Sequence, residues 1–249
     1  MSNRETVLIT GASSGIGRRT AIDLSEEYDV ILNGRDDSRL AETLRECKPG
    51  NHRVWAYDLS VVNTLQLDFE KWHLENEIYV SHFVHCAGIV MVTASRMMTM
   101  SHINTIFDIN FNSAMLLTAS LLKKRLSAQT LKSIIFVSAL YSKYGNPGHT
   151  IYAASKGALD SAMCSLSLEL APKIRVNTVC PGAVSTPMAK EALQNQEIRT
   201  KLLPQYPLGI GEPQDISNLI IFLLSDKARW ITGQQLFIDG GRSINMSFK

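Results

Sequence analysis

The chain has 249 residues, 45% of them hydrophobic and 19% charged, with a formal net charge of +2. This composition is that of a globular α/β domain with a sizeable core, and the small charge offers no field for nucleic acid or a membrane surface. No apolar run approaches the roughly 20 residues of a membrane span, and Met1–Glu5 leads into the first strand with no leader pattern. Cys47, Cys86, Cys164 and Cys180 are scattered without CxxC spacing. They suggest neither a disulfide framework nor a thiolate metal site, so a cytoplasmic protein without a metal is expected.

Thr6–Ile9 is a short apolar run, followed by a glycine-rich turn and a helical pattern from about 16 to 27. Val30–Leu32 is the next expected strand, Ser38–Cys47 the next helix, Arg53–Tyr57 a third strand and Val62–Glu75 another helix. Tyr79–His85 reads as strand four. After a loop carrying Met91, Met97, Met98 and Met100, for which core packing is the default, one long helix is expected over 101–127. Strand five is Ser133–Ser138, a helix runs from Thr150 to Leu170 before Pro172, and strand six is Ile174–Val179. The segment 187–211 is polar and bounded by prolines and glycines; Pro213–Leu224 forms a last helix and Gln235–Ile238 a seventh strand. Strands alternating with helices imply right-handed crossovers. The expected fold is one doubly wound, Rossmann-type α/β domain over 1–249, with a seven-stranded parallel sheet covered on both faces.

Two stretches carry chemistry. Gly11-x-x-x-Gly15-x-Gly17 lies between strand one and its helix, where bare backbone and a helix N-terminus suit a phosphate. Its spacing is a variant of the dinucleotide fingerprint. Gly11-Ala12-Ser13-Ser14-Gly15 also matches the GxSxG nucleophile elbow, but a hydrolase needs a histidine late in the chain, and the last one is His149. Tyr152 and Lys156 stand four apart in an Ala-rich helix, on one face. An ammonium there favours the phenolate and would make Tyr152 a usable acid or base. His82 and His85, three apart on a strand, face opposite ways and make a poor metal pair.

Thr10–Gly17, Tyr152/Lys156, Pro181-Gly182-Ala183-Val184-Ser185-Thr186 and Ile231-Thr232-Gly233-Gln234 through Asp239-Gly240-Gly241 stand in the order of the short-chain dehydrogenase/reductase family. The chain resembles its roughly 250-residue branch, near the 3-oxoacyl-carrier-protein reductases, over nearly its whole length. The resemblance implies NAD(P)-linked hydride transfer to or from a carbonyl or alcohol carbon, with Tyr152 exchanging the proton and Lys156 lowering its pKa and holding the nicotinamide ribose. It implies that Asn110 keeps a water in a proton relay, that Asp58 binds adenine and that Thr186 meets the carboxamide. It also implies a dinucleotide site made by Gly11, Ser13, Ser14, Gly15, Ile16, Gly17, Arg35, Asp58, Leu59, Ala87, Gly88, Tyr152, Lys156, Pro181, Gly182, Val184 and Thr186. A small carbonyl substrate and a homo-oligomer, tetramer or dimer, are implied with it, and a substrate lid is expected at 187–211.

The chain departs from the family in two places. The catalytic serine usually precedes the tyrosine by 13 residues, a count that falls on Ala139, so its neighbour Ser138 serves only if a bulge or one-residue shift re-aims it. Otherwise the substrate oxygen relies on Tyr152, with Ser142 or a water. A weakly catalytic nucleotide-binding regulator or scaffold is the alternative that Ala139 favours. The usual Asn-Asn-Ala-Gly is His85-Cys86-Ala87-Gly88. At the end of strand two, Gly34 stands where an NAD-binding carboxylate is usual and Arg35 follows, which points to NADP(H) with NAD(H) still open. Asp36 and Asp37 either pair with Arg35 or cap the next helix.

Overall fold

A computed structural model describes residues 4–127 and 130–245. The expected span 1–249 also includes Met1–Asn3, Ala128–Gln129 and Met246–Lys249, which lie outside the described residues. The elements are β1 (Thr6–Thr10), α1 (Gly15–Leu24), β2 (Asp29–Gly34), α2 (Asp37–Glu46), β3 (Arg53–Ala56), α3 (Val62–Glu75) and β4 (Val80–His85). There follow α4 (Met100–Phe107), α5 (Ser113–Leu121), α6 (Lys124–Ser127), β5 (Ser133–Val137), α7 (Thr150–Leu170) and β6 (Arg175–Pro181). The chain ends with α8 (Lys190–Gln194), α9 (Gln196–Leu202), α10 (Pro213–Leu224) and β7 (Gln235–Ile238).

All seven strands are parallel, in the order β3-β2-β1-β4-β5-β6-β7. The period-2 alternation of strand side chains divides the core between the two faces. Val7 and Ile9 of β1 point to the side of Ala21, Leu24, Ile216 and Ile220, on α1 and α10. Leu8 between them points to the side of Phe69, Leu117 and Leu159, on α3, α5 and α7. Both faces are covered, and the central strand β5 is buried at every residue. Pro213 starts α10, and Glu212 and Asp215 close a reciprocal capping box there.

Two expectations are corrected. The long helix over 101–127 is broken: α4 passes into a π-type turn at Asp108–Asn112, α5 then ends at Leu121, and a short α6 follows. Asn110 points into the protein from that turn and is fully buried, and Asn112 Nδ2 donates to Asp108 Oδ1 across it at 2.8 Å. A buried amide with fixed partners outweighs regular helical bonding here. The methionines leading into α4 and at its start are not core: Met97 and Met100 are 63% and 66% exposed, and Met91 and Met98 are half-buried.

The sheet order reverses between β1 and β4, and open α/β sheets bind ligands in the crevice at such a switch point, outside the carboxyl ends of the strands. Gly11, Gly34, Asp58, Ala87, Ser138 and Pro181 all lie at or just after those ends.

Candidate active site

The turn after β1 is shaped by its glycines. Gly11 has φ +68°, and a Cβ there would stand 2.9 Å from Ala87 N; a Cβ on Gly17 would lie 2.4 Å from Gly11 O. Only glycine fits either position. Ser14 precedes α1 in extended conformation and makes no side-chain cap bond, so the first N–H groups of the helix face the crevice without an internal partner. Thr10 ties this turn to the end of β4. Its Oγ1 accepts from Ala87 N at 3.1 Å and lies within hydrogen-bond distance of His85 Nδ1, at 3.0 Å. Burial, followed by the Lys156 charge, lowers His85 to about 3 and keeps it neutral. His82 instead bonds Glu5 Oε2 at 2.9 Å, so the two histidines serve separate partners.

The end of β2 separates the acidic residues from Arg35. Asp36 Oδ1 accepts from Arg39 N at 3.1 Å and Ser38 Oγ at 2.6 Å, capping α2. Arg35 is exposed and has no ion pair or side-chain hydrogen bond among the described residues. Arg39 lines a cleft of about 620 Å³ with Ser13, Ser14 and Gly15. The sequence reading missed Arg39, which lies in the first turns of α2 and comes to the glycine turn through the fold. Asp58 Oδ1 accepts from Ser60 N at 2.9 Å in a local turn, and Leu59 beside it is buried.

Lys156, Asn110 and Gly88 meet at the carboxyl end of β4 and β5. Lys156 is 3% exposed, and its Nζ donates to Val137 O at 2.9 Å. A Cβ on Gly88 would come within 3.1 Å of Lys156 Nζ and 3.3 Å of Asn110 Oδ1, so glycine makes this approach possible. Asn110 Oδ1 accepts from Ile89 N at 2.8 Å, while its Nδ2 donates to Ile89 O at 3.0 Å and Ser155 Oγ at 2.9 Å. Burial lowers Lys156 to about 8. Its Nζ stands 6.0 Å from the Tyr152 ring centroid, over the face.

Tyr152 differs from the sequence expectation. Lys156 alone would lower its pKa, but the protein packed around the phenol, followed by Tyr141 and Cys180, pushes it above the usual tyrosine value. The group is held protonated, which suits an acid better than a base. His149 Nδ1 contacts Asn146 Nδ2 at 2.9 Å, and its ring stands edge-on to Tyr152 with centroids 6.3 Å apart.

Ser138 is not re-aimed. β5 and β6 pair in regular register through Val137↔Val179, and Ser138 N continues the ladder to Val179 O at 2.8 Å. Without a bulge its side chain turns inward, and Oγ donates to Lys156 O at 3.1 Å. Ser142 Oγ is occupied by Gln235 Nε2 at 3.1 Å. Position 139 itself, an alanine, offers no hydroxyl.

On the other side, Thr186 closes over the glycine turn, with its Cγ2 3.2 Å from where a Cβ on Gly15 would be. A cleft of about 640 Å³ opens beside it, lined by Ser185, Thr186, Lys190, Leu193 and Leu203. Gly182 packs on Asp239 and Tyr206, and Tyr206 Oη accepts from Ala183 N at 3.0 Å. Val184, 6% exposed, pairs with Gly211 and ties the end of the 187–211 segment to the site. No helix among the described residues is long and apolar enough to cross a membrane.

The profile of the enoyl-(acyl carrier protein) reductase family matches residues 11–243. A 3-oxoacyl-[acyl-carrier-protein] reductase of Thermotoga maritima is 31% identical over 242 residues, 94% of this chain and 96% of that protein. L-rhamnose 1-dehydrogenase (NAD(P)(+)) of a Sphingomonas species is 32% identical over 97% of both chains, and D-erythrulose reductase of Gallus gallus is 32% identical over 94% of each. Among solved structures, a 4-hydroxyisoleucine dehydrogenase mutant complexed with NADH and succinate superposes with a TM-score of 0.90 at 26% identity, covering 98% of this chain and 100% of that one. A bare glycine turn at the sheet's switch point, with a buried lysine beside a tyrosine, is thus joined to full-length similarity to dehydrogenases and reductases. The chain belongs to the short-chain dehydrogenase/reductase family, NAD(P)-dependent oxidoreductases that transfer hydride to or from a carbonyl or alcohol carbon.

Proposed function

We propose that this enzyme is an NADP(H)-preferring ketoreductase in which Tyr152 is the general acid. The observation that carries the reading is the meeting of Lys156 Nζ, Asn110 Oδ1 and bare Gly88 beside Tyr152, at the mouth of the glycine turn. The dinucleotide, when bound, supplies the hydride for a carbonyl or takes it from an alcohol. Gly11, Ser13, Ser14, Gly15, Ile16 and Gly17 would hold its pyrophosphate through backbone N–H groups and the end of α1. Asp58 and Leu59 would flank the adenine. Ala87, Gly88, Pro181, Gly182, Val184 and Thr186 would bound the nicotinamide half. Free Arg35, with Arg39 close by, supports recognition of a 2′-phosphate by guanidinium.

Tyr152 gives its proton to the carbonyl oxygen as the carbonyl carbon is reduced. Lys156 offers positive charge and a donor at the ribose position, and Asn110 holds the turn through which protons return. The substrate enters over the carboxyl edge of the sheet, with 187–211 as a lid. Candidate substrates are 3-oxoacyl thioesters, polyol-derived or sugar ketones, and steroids. Leu168 and Trp230, 84% and 90% exposed, support burial of these faces in a homo-oligomer. Four free cysteines support a cytoplasmic home.

The test is oxidation of NADPH and NADH against a ketone panel. Turnover with NADPH preferred is the expected result. Tight dinucleotide binding without turnover on any ketone would favour the scaffold reading, which rests on Ala139.

A further inference from the structure

Reduction of a carbonyl places negative charge on its oxygen, and a second donor beside the proton source stabilises that charge. The serine that would serve is absent at Ala139, Ser138 Oγ is spent on Lys156 O, and Ser142 Oγ is drawn to Gln235 on β7, whose Nε2 donates to it at 3.1 Å. Tyr141 stands two residues beyond Ala139, in the 3-10 turn Leu140–Ser142. Its ring lies edge-on to His149, centroids 5.1 Å apart at 61°, and His149 lies edge-on to Tyr152 at 6.3 Å and 74°. The three rings form one row that ends on the proposed acid. Among the described residues the Tyr141 hydroxyl has no hydrogen-bond partner, and the side chain is half-buried.

We propose that the Tyr141 hydroxyl donates the second hydrogen bond to the substrate oxygen, replacing the hydroxyl that Ala139 lacks. A phenol is much longer than a serine side chain, so a donor two positions along the turn can serve the same oxygen. In the reaction the Tyr152 proton goes to that oxygen, and Tyr152 is left as phenolate. The carbon gains hydride from the reduced nicotinamide. Tyr141 keeps its proton throughout and only donates a hydrogen bond. Burial raises the Tyr141 pKa, with Arg242 opposing, so the phenol remains a donor across the working range. After burial, charge on Tyr141 is the next cause that raises Tyr152.

The proposal rests on the ketoreductase reading, and two readouts separate them. With a ketone that the wild type reduces, Tyr141→Phe is expected to lower kcat about 10²-fold, with KM and dinucleotide binding little changed. Adding Ala139→Ser to that variant should recover at least about tenfold of the loss, because it restores a hydroxyl to the same oxygen. His149→Phe keeps the aromatic row without a ring nitrogen and should cost far less. A Tyr141→Phe enzyme with wild-type kcat overturns the proposal, as does a loss that Ala139→Ser does not recover.

The second readout needs no turnover. An ultraviolet titration of Tyr141→Phe, taken as a difference against Tyr141→Phe/Tyr152→Phe, isolates the Tyr152 phenol. It should ionise at lower pH than in the wild type, where Tyr141 raises it. Unchanged ionisation means the two hydroxyls do not share a pocket and overturns the assignment, even if no ketone is reduced. A wild type that reduces no ketone, by contrast, overturns the ketoreductase reading alone.

Discussion

The two halves of the crevice are built differently. On the cofactor side the proposed working groups are backbone N–H donors, and the residues matter for what they lack: Gly11, Gly17 and Gly88 are each pressed against neighbours that a Cβ would strike. On the substrate side the proposed working groups are side chains, and here Ala139 departs from the family's pattern. A backbone cradle tolerates little change because its shape is its function. A side-chain site can lose one donor and recruit another from a nearby turn, so chemistry can persist while the residue that performs it moves.

Substitutions on each side sharpen this contrast. Gly17→Ala should have the largest effect, since its Cβ would lie 2.4 Å from Gly11 O. About 1–3 kcal/mol of stability and about 10–100-fold in dinucleotide binding should be lost, read by thermal melting and calorimetric titration. Undiminished binding would mean that the turn does not approach the cofactor. Arg35→Ala removes a charge-assisted contact of about 1.5–3 kcal/mol, so NADPH should weaken about 10–100-fold and NADH hardly at all. Equal losses for both nucleotides would remove Arg35 from phosphate recognition. Arg39→Ala should act in the same sense but less strongly.

A smaller, pH-dependent effect follows from Lys156. Burial lowers it to about 8 from 10.5, so its ammonium discharges as pH rises through about 8 and ketone reduction should fall several-fold. Stability moves the other way. Above pH 8 the unfolded lysine still binds a proton that the folded one has lost, so this group makes the fold more stable as pH rises from about 8 towards 10. Lys156→Gln should abolish that slope in melting curves taken across the window; an unchanged slope assigns it to other groups. Smallest of all, Ser138→Ala should cost about 1 kcal/mol through the lost bond to Lys156 O and leave kcat within about twofold. A hundredfold fall in kcat would return Ser138 to the catalytic set.

The same division explains what could be read from the sequence. The seven strands, the helices Thr150–Leu170 and Pro213–Leu224, and the glycine turn follow from apolar runs and spacing, because backbone geometry constrains sequence at short range. The π-type turn at Asp108–Asn112 did not, since it arises from Asn110 reaching Ile89 and Ser155 across the fold. The raised pKa of Tyr152 was equally hidden: spacing placed a lysine beside it, but the packing that outweighs the ammonium comes from distant segments. Ser138 was legible as a problem, and its inward turn required the β5–β6 register to be seen. Tyr141 carries no motif at all, and its proposed role comes from the turn after β5 packing on His149, which in turn packs on Tyr152.

The most direct test of the account is Tyr152→Phe, measured for dinucleotide binding and for single-turnover ketone reduction in the same preparation. The cradle is backbone-built and independent of the phenol, so NADPH should bind within a few-fold of the wild type while the hydride-transfer rate falls about 10²–10⁴-fold. Retention of the wild-type rate would contradict the assignment of Tyr152 as the acid. Loss of binding together with the rate would contradict the separation of cradle and proton donor.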